Sequence, residues 1–245
     1  MQYALVNGIK SEASPNFKGL CICCGNEMIS KCGKKIIWHW AHKTKCECDL
    51  WWENETIWHR DWKSKFPKEF HEIINIDDLT GEKHIADIKL NNGLVIEFQN
   101  SRIKEEEVLL RNNFYKNILW VVNGLSLRES DYREFCIALD KGNKVNNIPL
   151  TYLFNLNDSK IAMDWADCNA PVLFDFSEED LELGKVLWLL IPTANQDKRV
   201  VVQLHFDDIK NLLFMDLDNN YMLISAIALG AKKLLNRFMT CEKII

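Results

Sequence analysis

The stretch HIADIKLNNGLVIEFQNS, residues 84–101, constrains the fold more tightly than any other part of the chain. Two largely apolar runs flank Asn91, Asn92 and Gly93, a text that reads as a β-hairpin. Yet the first run carries Asp87 and the second carries Glu97 and Gln99, and charge in such strands is costly unless it is paired or bound to metal. Side chains alternate along a strand, so Glu97 and Gln99 share one face while Leu94, Ile96 and Phe98 face a core. A three-residue loop with left-handed Gly93 sets Asp87 on the face of Glu97, whereas a two-residue Asn92-Gly93 turn pairs Asp87 with Phe98 and separates the carboxylates. The text permits both, and the three-residue loop is the one expected, because adjacent carboxylates make sense around a divalent cation. A hard ion such as Mg²⁺ takes oxygen ligands from one or two carboxylates and can polarise a phosphodiester. Ordinary charges on a surface-facing strand pair are the plainer explanation of the same pattern.

The flanking text supplies further elements. DLWWENETIWHRDWKSKF, residues 49–66, reads as a helix stopped by Pro67, and HEIINI as a strand. On that helix Glu55, His59 and Lys63 fall at i, i+4 and i+8, which stacks an acid, an imidazole and an amine on one side, with Trp58, Trp62 and Phe66 to pack it down. A solvated Glu–His–Lys ladder explains the stripe equally simply. SRIKEEEVLLRNNFYKN reads as a helix through Ile103, Leu110 and Phe114, followed by ILWVV as a buried strand. The last hairpin strand, this helix and ILWVV form a βαβ unit, so the sheet is expected to be mixed.

The first fifty residues have a different character: six of the nine cysteines lie before residue 49. Cys21 and Cys24, with His39 and His42, have ligand types and pair spacings suited to tetrahedral Zn²⁺; Cys46 and Cys48, with Cys32, are a competing set that would replace the histidines, and scattered reduced thiols are the bland reading. A metal would staple a segment too short to build its own core. The net charge is −5, but the first seventy residues carry +3 and the remainder −8, so a phosphate-seeking surface is expected near the N-terminus, around Lys31, Lys34, Lys35, Lys43 and Lys45.

The order Glu55-x3-His59-x3-Lys63, a strand, His84-Ile-Ala-Asp87, Glu97-Phe-Gln99-Asn-Ser101, then Arg111 and Tyr115, resembles the competence protein CoiA-like family, whose nuclease core looks like the PD-(D/E)XK restriction-endonuclease fold. CICCG, KCGKK and WHWAH likewise match that family's CxxCG and HFxH elements; the resemblance spans roughly residues 1–125 and extends loosely to WADCNAPVLFDF. It implies Mg²⁺- or Mn²⁺-dependent phosphodiester cleavage with Asp87 and Glu97 as metal ligands and Gln99 where most of the superfamily has lysine. Gln99 carries no charge, so the missing cation is expected from Lys63 or from Lys89, with Lys63 favoured. Glu55 would orient or share the metal, His59 would contact phosphate or water, and Arg111 and Tyr115 would face DNA or lock Gln99. Where the family has Arg, three residues before Asp87, this chain has His84, a protonation-dependent contact.

The expected architecture is therefore α/β (α+β): a zinc module over 1–50, a PD-(D/E)XK-like core over 51–148 with a mixed sheet flanked by helices, and an α+β accessory domain over 149–245. In that tail Trp165, Asp167 and Asp175 read as fold determinants and His205 as a strand histidine. MQYALVNGIK shows no apolar leader and VLWLLI is too short to span a bilayer, so a cytoplasmic protein with no membrane partner is expected. Three functional readings follow: a metal-dependent DNA nuclease in processing, recombination or defence; a catalytically silent DNA-binding or recombination accessory protein; and an anti-phage effector gated by a protein partner on the tail. DNA is the expected partner, and double-strand cutting would suit a homodimer.

Overall fold

The computed structural model describes residues 1–44, 46, 48–49, 51, 55–145, 151–181, 184–191 and 197–214. Lys45, residues 52–54 of the expected helix and the chain after 214 lie outside the described residues. The chain divides into two compact units, Met1–Asn91 and Asn92–Ile245.

In the first unit, β1 (Tyr3–Val6), β2 (Ile9–Glu12), β3 (Lys18–Leu20), β4 (Glu27–Lys31) and β5 (His39–His42) form an antiparallel sheet in the order β2-β1-β3-β4-β5. Strands this short bury little; Met28, Trp40 and Cys21 are almost fully enclosed with Ala4 and Ala13 around them. After the sheet comes α1 (Ile57–Ser64). It starts later than the sequence suggests because Thr56 caps it: Thr56 Oγ1 accepts from the His59 N–H at 3.3 Å, and His59 Nδ1 accepts from the Thr56 N–H at 3.3 Å. β6 (His71–Ile76) then pairs antiparallel with β7 (Lys83–Lys89).

The second unit contains β8 (Val95–Gln99), α2 (Glu105–Tyr115), β9 (Ile118–Asn123), α3 (Glu129–Lys141), β10 (Asn143–Val145), β11 (Thr151–Asn155), α4 (Lys160–Asp164), β12 (Val172–Asp175), β13 (Glu179–Asp180), β14 (Gly184–Ile191), β15 (Lys198–His205) and α5 (Phe206–Leu213). Its strand order is β10-β11-β15-β14-β12-β9-β8, with β8, β9 and β12 parallel and the rest antiparallel, while β13 pairs with β14. The architecture is thus mixed α+β, and β8–α2–β9 is a parallel crossover as the sequence implies. β9 is apolar and almost fully buried on both faces, the pattern of a central parallel strand whose two faces are covered. Phe135 of α3 packs on Phe154, Phe174, Phe176 and Trp188, joining helix and strands in one aromatic core.

Because β12 lies directly on β9, strands beyond residue 149 complete the same sheet as β8 and β9. α2 also differs from expectation: Leu110 is exposed, and the helix buries Val108, Arg111, Asn112 and Tyr115. Arg111 is buried there with Glu97 of β8 3.0 Å away, and Asn112 accepts from Trp120 Nε1 at 2.8 Å and donates to Asn169 Oδ1 at 2.6 Å. Among the described residues no helix is long and apolar enough to cross a membrane.

Candidate functional site

Cys21 and Cys24 sit in a tight turn after β3. The Cys23 N–H points at the Cys21 sulfur at 3.4 Å, the Gly25 N–H bonds the Cys21 carbonyl at 3.0 Å, and Gly25 takes φ +74, which a side chain would resist. β5 delivers His42 from the neighbouring edge. Together with Cys48 these residues form a group whose ligand atoms all lie within 4.8 Å of one another. Cys21 and Cys48 Sγ are 3.7 Å apart, and His42 Nε2 lies 3.4 Å from Cys24 Sγ and 3.7 Å from Cys48 Sγ. With Zn–S of about 2.3 Å and Zn–N of about 2.0–2.1 Å, a tetrahedral ion separates its sulfurs by about 3.8 Å and a sulfur from a nitrogen by about 3.5 Å. The donor set and its spacing therefore fit a structural zinc of Cys3His type.

His39 lies outside this group, its Nδ1 donating to the Ile37 carbonyl at 2.9 Å. A strand sends residues two apart to one face and residues three apart to opposite faces, so β5 cannot aim both His39 and His42 at one ion. Cys48 takes the fourth place. Cys46 stands close by, 3.8 Å from Cys24 Sγ. Burial holds the His42 imidazole below its ordinary value, favouring the neutral form that ligates.

Cys48 is anchored through the next residue. Asp49 accepts from the Ile85 N–H at 2.8 Å and meets His84 Nδ1 at 2.9 Å, while His84 Nε2 lies 2.9 Å from Glu82 and the ring stacks on Trp51. His84 thus ties the metal-ligand segment to β7, with a carboxylate at each ring nitrogen.

The second constellation centres on Lys63. Its ammonium, almost fully buried, lies 3.1 Å from Asp87 Oδ1, 3.2 Å from Glu55 Oε1 and 3.3 Å from Glu72 Oε1. Burial alone pushes this ammonium down, but Asp87, Glu72 and Glu55 more than offset it and hold the group well above its ordinary value. Arg60 Nε adds a second cation 3.0 Å from Glu55 Oε1. The register His71↔Ile88 and Ile73↔Ala86 leaves Glu72 across from Asp87, and like charges so placed repel unless a cation stands between them. Glu72 adopts φ +45, a left-handed backbone that costs energy, while its carboxylate accepts from the Gln2 and Tyr3 N–H groups at 2.7 and 3.1 Å. Asp87 is the most open of the three acids, with a side chain 23% exposed.

The structure therefore brings Glu55, Lys63 and Asp87 together but changes how they arrive. Glu55 precedes the helix cap instead of riding on the helix, and His59 spends its Nδ1 on the Thr56 cap. Lys89 bonds Asn75 Oδ1 at 2.5 Å on the same hairpin. In the second unit, Glu97 is buried with Oε2 3.0 Å from Arg111 Nη1, and Glu107 grips the same guanidinium. Arg111 and Tyr115 accordingly face the interior, and Gln99 Nε2 donates to the Ser101 carbonyl at 3.0 Å. Asp175, completely buried, pairs with Lys185 at 3.0 Å, and Trp165 packs on Trp120, both structural as read from the sequence.

Glu72 and Arg60 were not singled out from the sequence. Glu72 did leave a signal, a carboxylate inside the apolar strand HEIINI, the same anomaly that drew attention to Asp87. No curated protein and no solved structure matches the chain. Residues 11–50, which carry Cys21, Cys24, His42 and Cys48, match the family model of the competence protein CoiA N-terminal domain.

Proposed function

We propose that this protein is a Mg²⁺- or Mn²⁺-dependent DNA nuclease with a PD-(D/E)XK-like core and a zinc-stapled, CoiA-like N-terminal segment. The observation that carries the reading is the buried Lys63 ammonium 3.1 Å from Asp87, with Glu55 and Glu72 on the same nitrogen. Lys63 supplies the positive charge that Gln99 lacks. Glu55 adds support, because its Oε2 is buried with no hydrogen-bond partner among the described residues, an acceptor that a hard cation or ordered water would satisfy. The side chains of Glu55, Glu72, Asp87, Lys63 and Arg60 sum to one negative charge, which suits a divalent ion. Asp87, aided by Glu55, has the oxygen donors that would hold the ion, and Glu97 is the second ligand that the sequence pattern implies. The ion would polarise the phosphodiester and activate water. Lys63 keeps its proton and positive charge beside Asp87, balancing the three carboxylates that its N–H groups meet.

The Glu97–Arg111 pair favours a second reading, a non-cleaving DNA-binding accessory protein, because a carboxylate already matched to a guanidinium gains less from metal. Cleavage of supercoiled, linear and single-stranded DNA with Mg²⁺, Mn²⁺ or neither separates the two. The nuclease reading expects metal-dependent cutting that Asp87→Ala and Glu97→Ala each reduce by at least about a hundredfold, in line with loss of a group that stabilises developing charge. Equal DNA binding by all three proteins without any cutting would establish the accessory role.

A further inference from the structure

An open groove of about 500 Å³ runs along the first unit between the β4–β5 loop and the start of α1, lined by Lys34, Lys35, Ile36, Trp38, Ile57 and Arg60. Trp38 is 46% exposed yet held at both ends: its indole Nε1 donates to the Gly33 carbonyl at 3.2 Å, and its own carbonyl accepts from Arg60 Nη2 at 2.6 Å. Ile36 and Ile57, 66% and 69% exposed, continue the apolar surface. Lys34 and Lys35 are exposed beside it and have no ion-pair partner among the described residues. Glu12 is the acidic residue of the lining, and Lys68 pairs with it at 3.2 Å.

We infer that this groove binds an unpaired polynucleotide strand, with a base stacked on Trp38 and flanking phosphates on Lys34 and Lys35. A half-open aromatic ring whose indole N–H is tied to the Gly33 carbonyl, on a backbone that Arg60 holds, loses little freedom when a base stacks on it, and lysines on the rim suit a backbone of repeating negative charge. A duplex offers no free base face for the ring. Position strengthens the assignment: Arg60 holds the Trp38 carbonyl with one nitrogen and lies 3.0 Å from Glu55 with another, and Glu55 shares Lys63 with Asp87. The inference deepens the nuclease reading, on which its catalytic use rests, by naming the unpaired strand as the substrate class delivered toward Asp87.

The test is fluorescence anisotropy of labelled oligothymidylate and oligouridylate of about 12 nucleotides, and of a DNA duplex of equal length, with the full zinc-loaded chain and no added divalent cation. Both single strands should bind several-fold more tightly than the duplex, the better of them naming DNA or RNA. Trp38→Ala should weaken strand binding about tenfold and Trp38→Phe should restore most of it, since phenylalanine also stacks. Lys34→Ala with Lys35→Ala should lower the slope of log K against log salt by about 1.4, two phosphates at about 0.7 each. Zinc content and melting temperature serve as folding controls, and the lysine pair keeps the test decisive if Trp38→Ala misfolds. Duplex preference, or strand affinity indifferent to both Trp38→Ala and the lysine pair, overturns the inference. A change of oligomeric state in Trp38→Ala without loss of strand binding overturns it in favour of a second copy of this chain as occupant. Because no cleavage is measured, a failed nuclease assay leaves strand binding standing, and the reverse holds too.

Discussion

Lys63 is the residue whose surroundings most clearly exceed what packing needs. Three carboxylates meet one buried ammonium, so removing the ammonium leaves buried negative charge with less compensation. Lys63→Met should cost about 3–5 kcal/mol of unfolding free energy, measured by urea denaturation at neutral pH; a loss under about 1 kcal/mol would show that the acids relax to solvent. Glu72 makes a second prediction. Burial tends to raise its pKa, but Lys63 and the N–H donors of Gln2 and Tyr3 outweigh burial and leave the carboxyl below its ordinary 4.5. A depressed acid contributes stability that is present above the unfolded pKa and lost as pH falls through the folded one. Stability should therefore decline below about pH 4.5, and Glu72→Gln, less stable at pH 7, should show a shallower decline in acid melts.

At the scale of elements, the metal group depends on where strands and turns end. β3 ends at Leu20, just before the Cys21–Cys24 turn, β5 presents His42, and the Asp49–His84 bridge fixes Cys48. Cys48→Ser should abolish stoichiometric zinc in the purified protein, whereas His39→Ala should keep it, as read by elemental analysis. Retention by the first and loss by the second would restore the assignment the spacing alone suggested. Helix α1 shows the same dependence: Thr56 ends the upstream chain and starts the helix, which moves Glu55 off the helix and occupies His59 in the cap. The T-x-x-H text was visible, but a histidine accepting from the cap backbone is less familiar than glutamate in that place.

For the molecule as a whole, the decisive fact is that the sheet containing β8 and β9 is finished by strands from beyond residue 149. A chain cut at residue 148 would leave β9, with Trp120, Val121 and Val122 almost fully buried in the intact protein, as an apolar open edge. Such a fragment should aggregate or lack near-ultraviolet circular dichroism, while a soluble, well-dispersed fragment would vindicate the boundary near 148. The residues by themselves determined most of the local order. β-Branched and apolar runs identified β6 to β9, Pro67 bounded α1, the CxxC spacing marked the metal turn, and charge in apolar strands pointed to Asp87 and Glu97. What tertiary structure alone decided is which distant groups meet. Cys48 displaced His39 because strand alternation sends the two histidines of β5 to opposite sides, and Lys63 found Glu72 because an antiparallel register placed that acid across from Asp87. Arg111 turned inward because Glu97 lies beneath its helix. These choices depend on partners far apart in sequence, whose burial and charge balance exist only once the chain has folded.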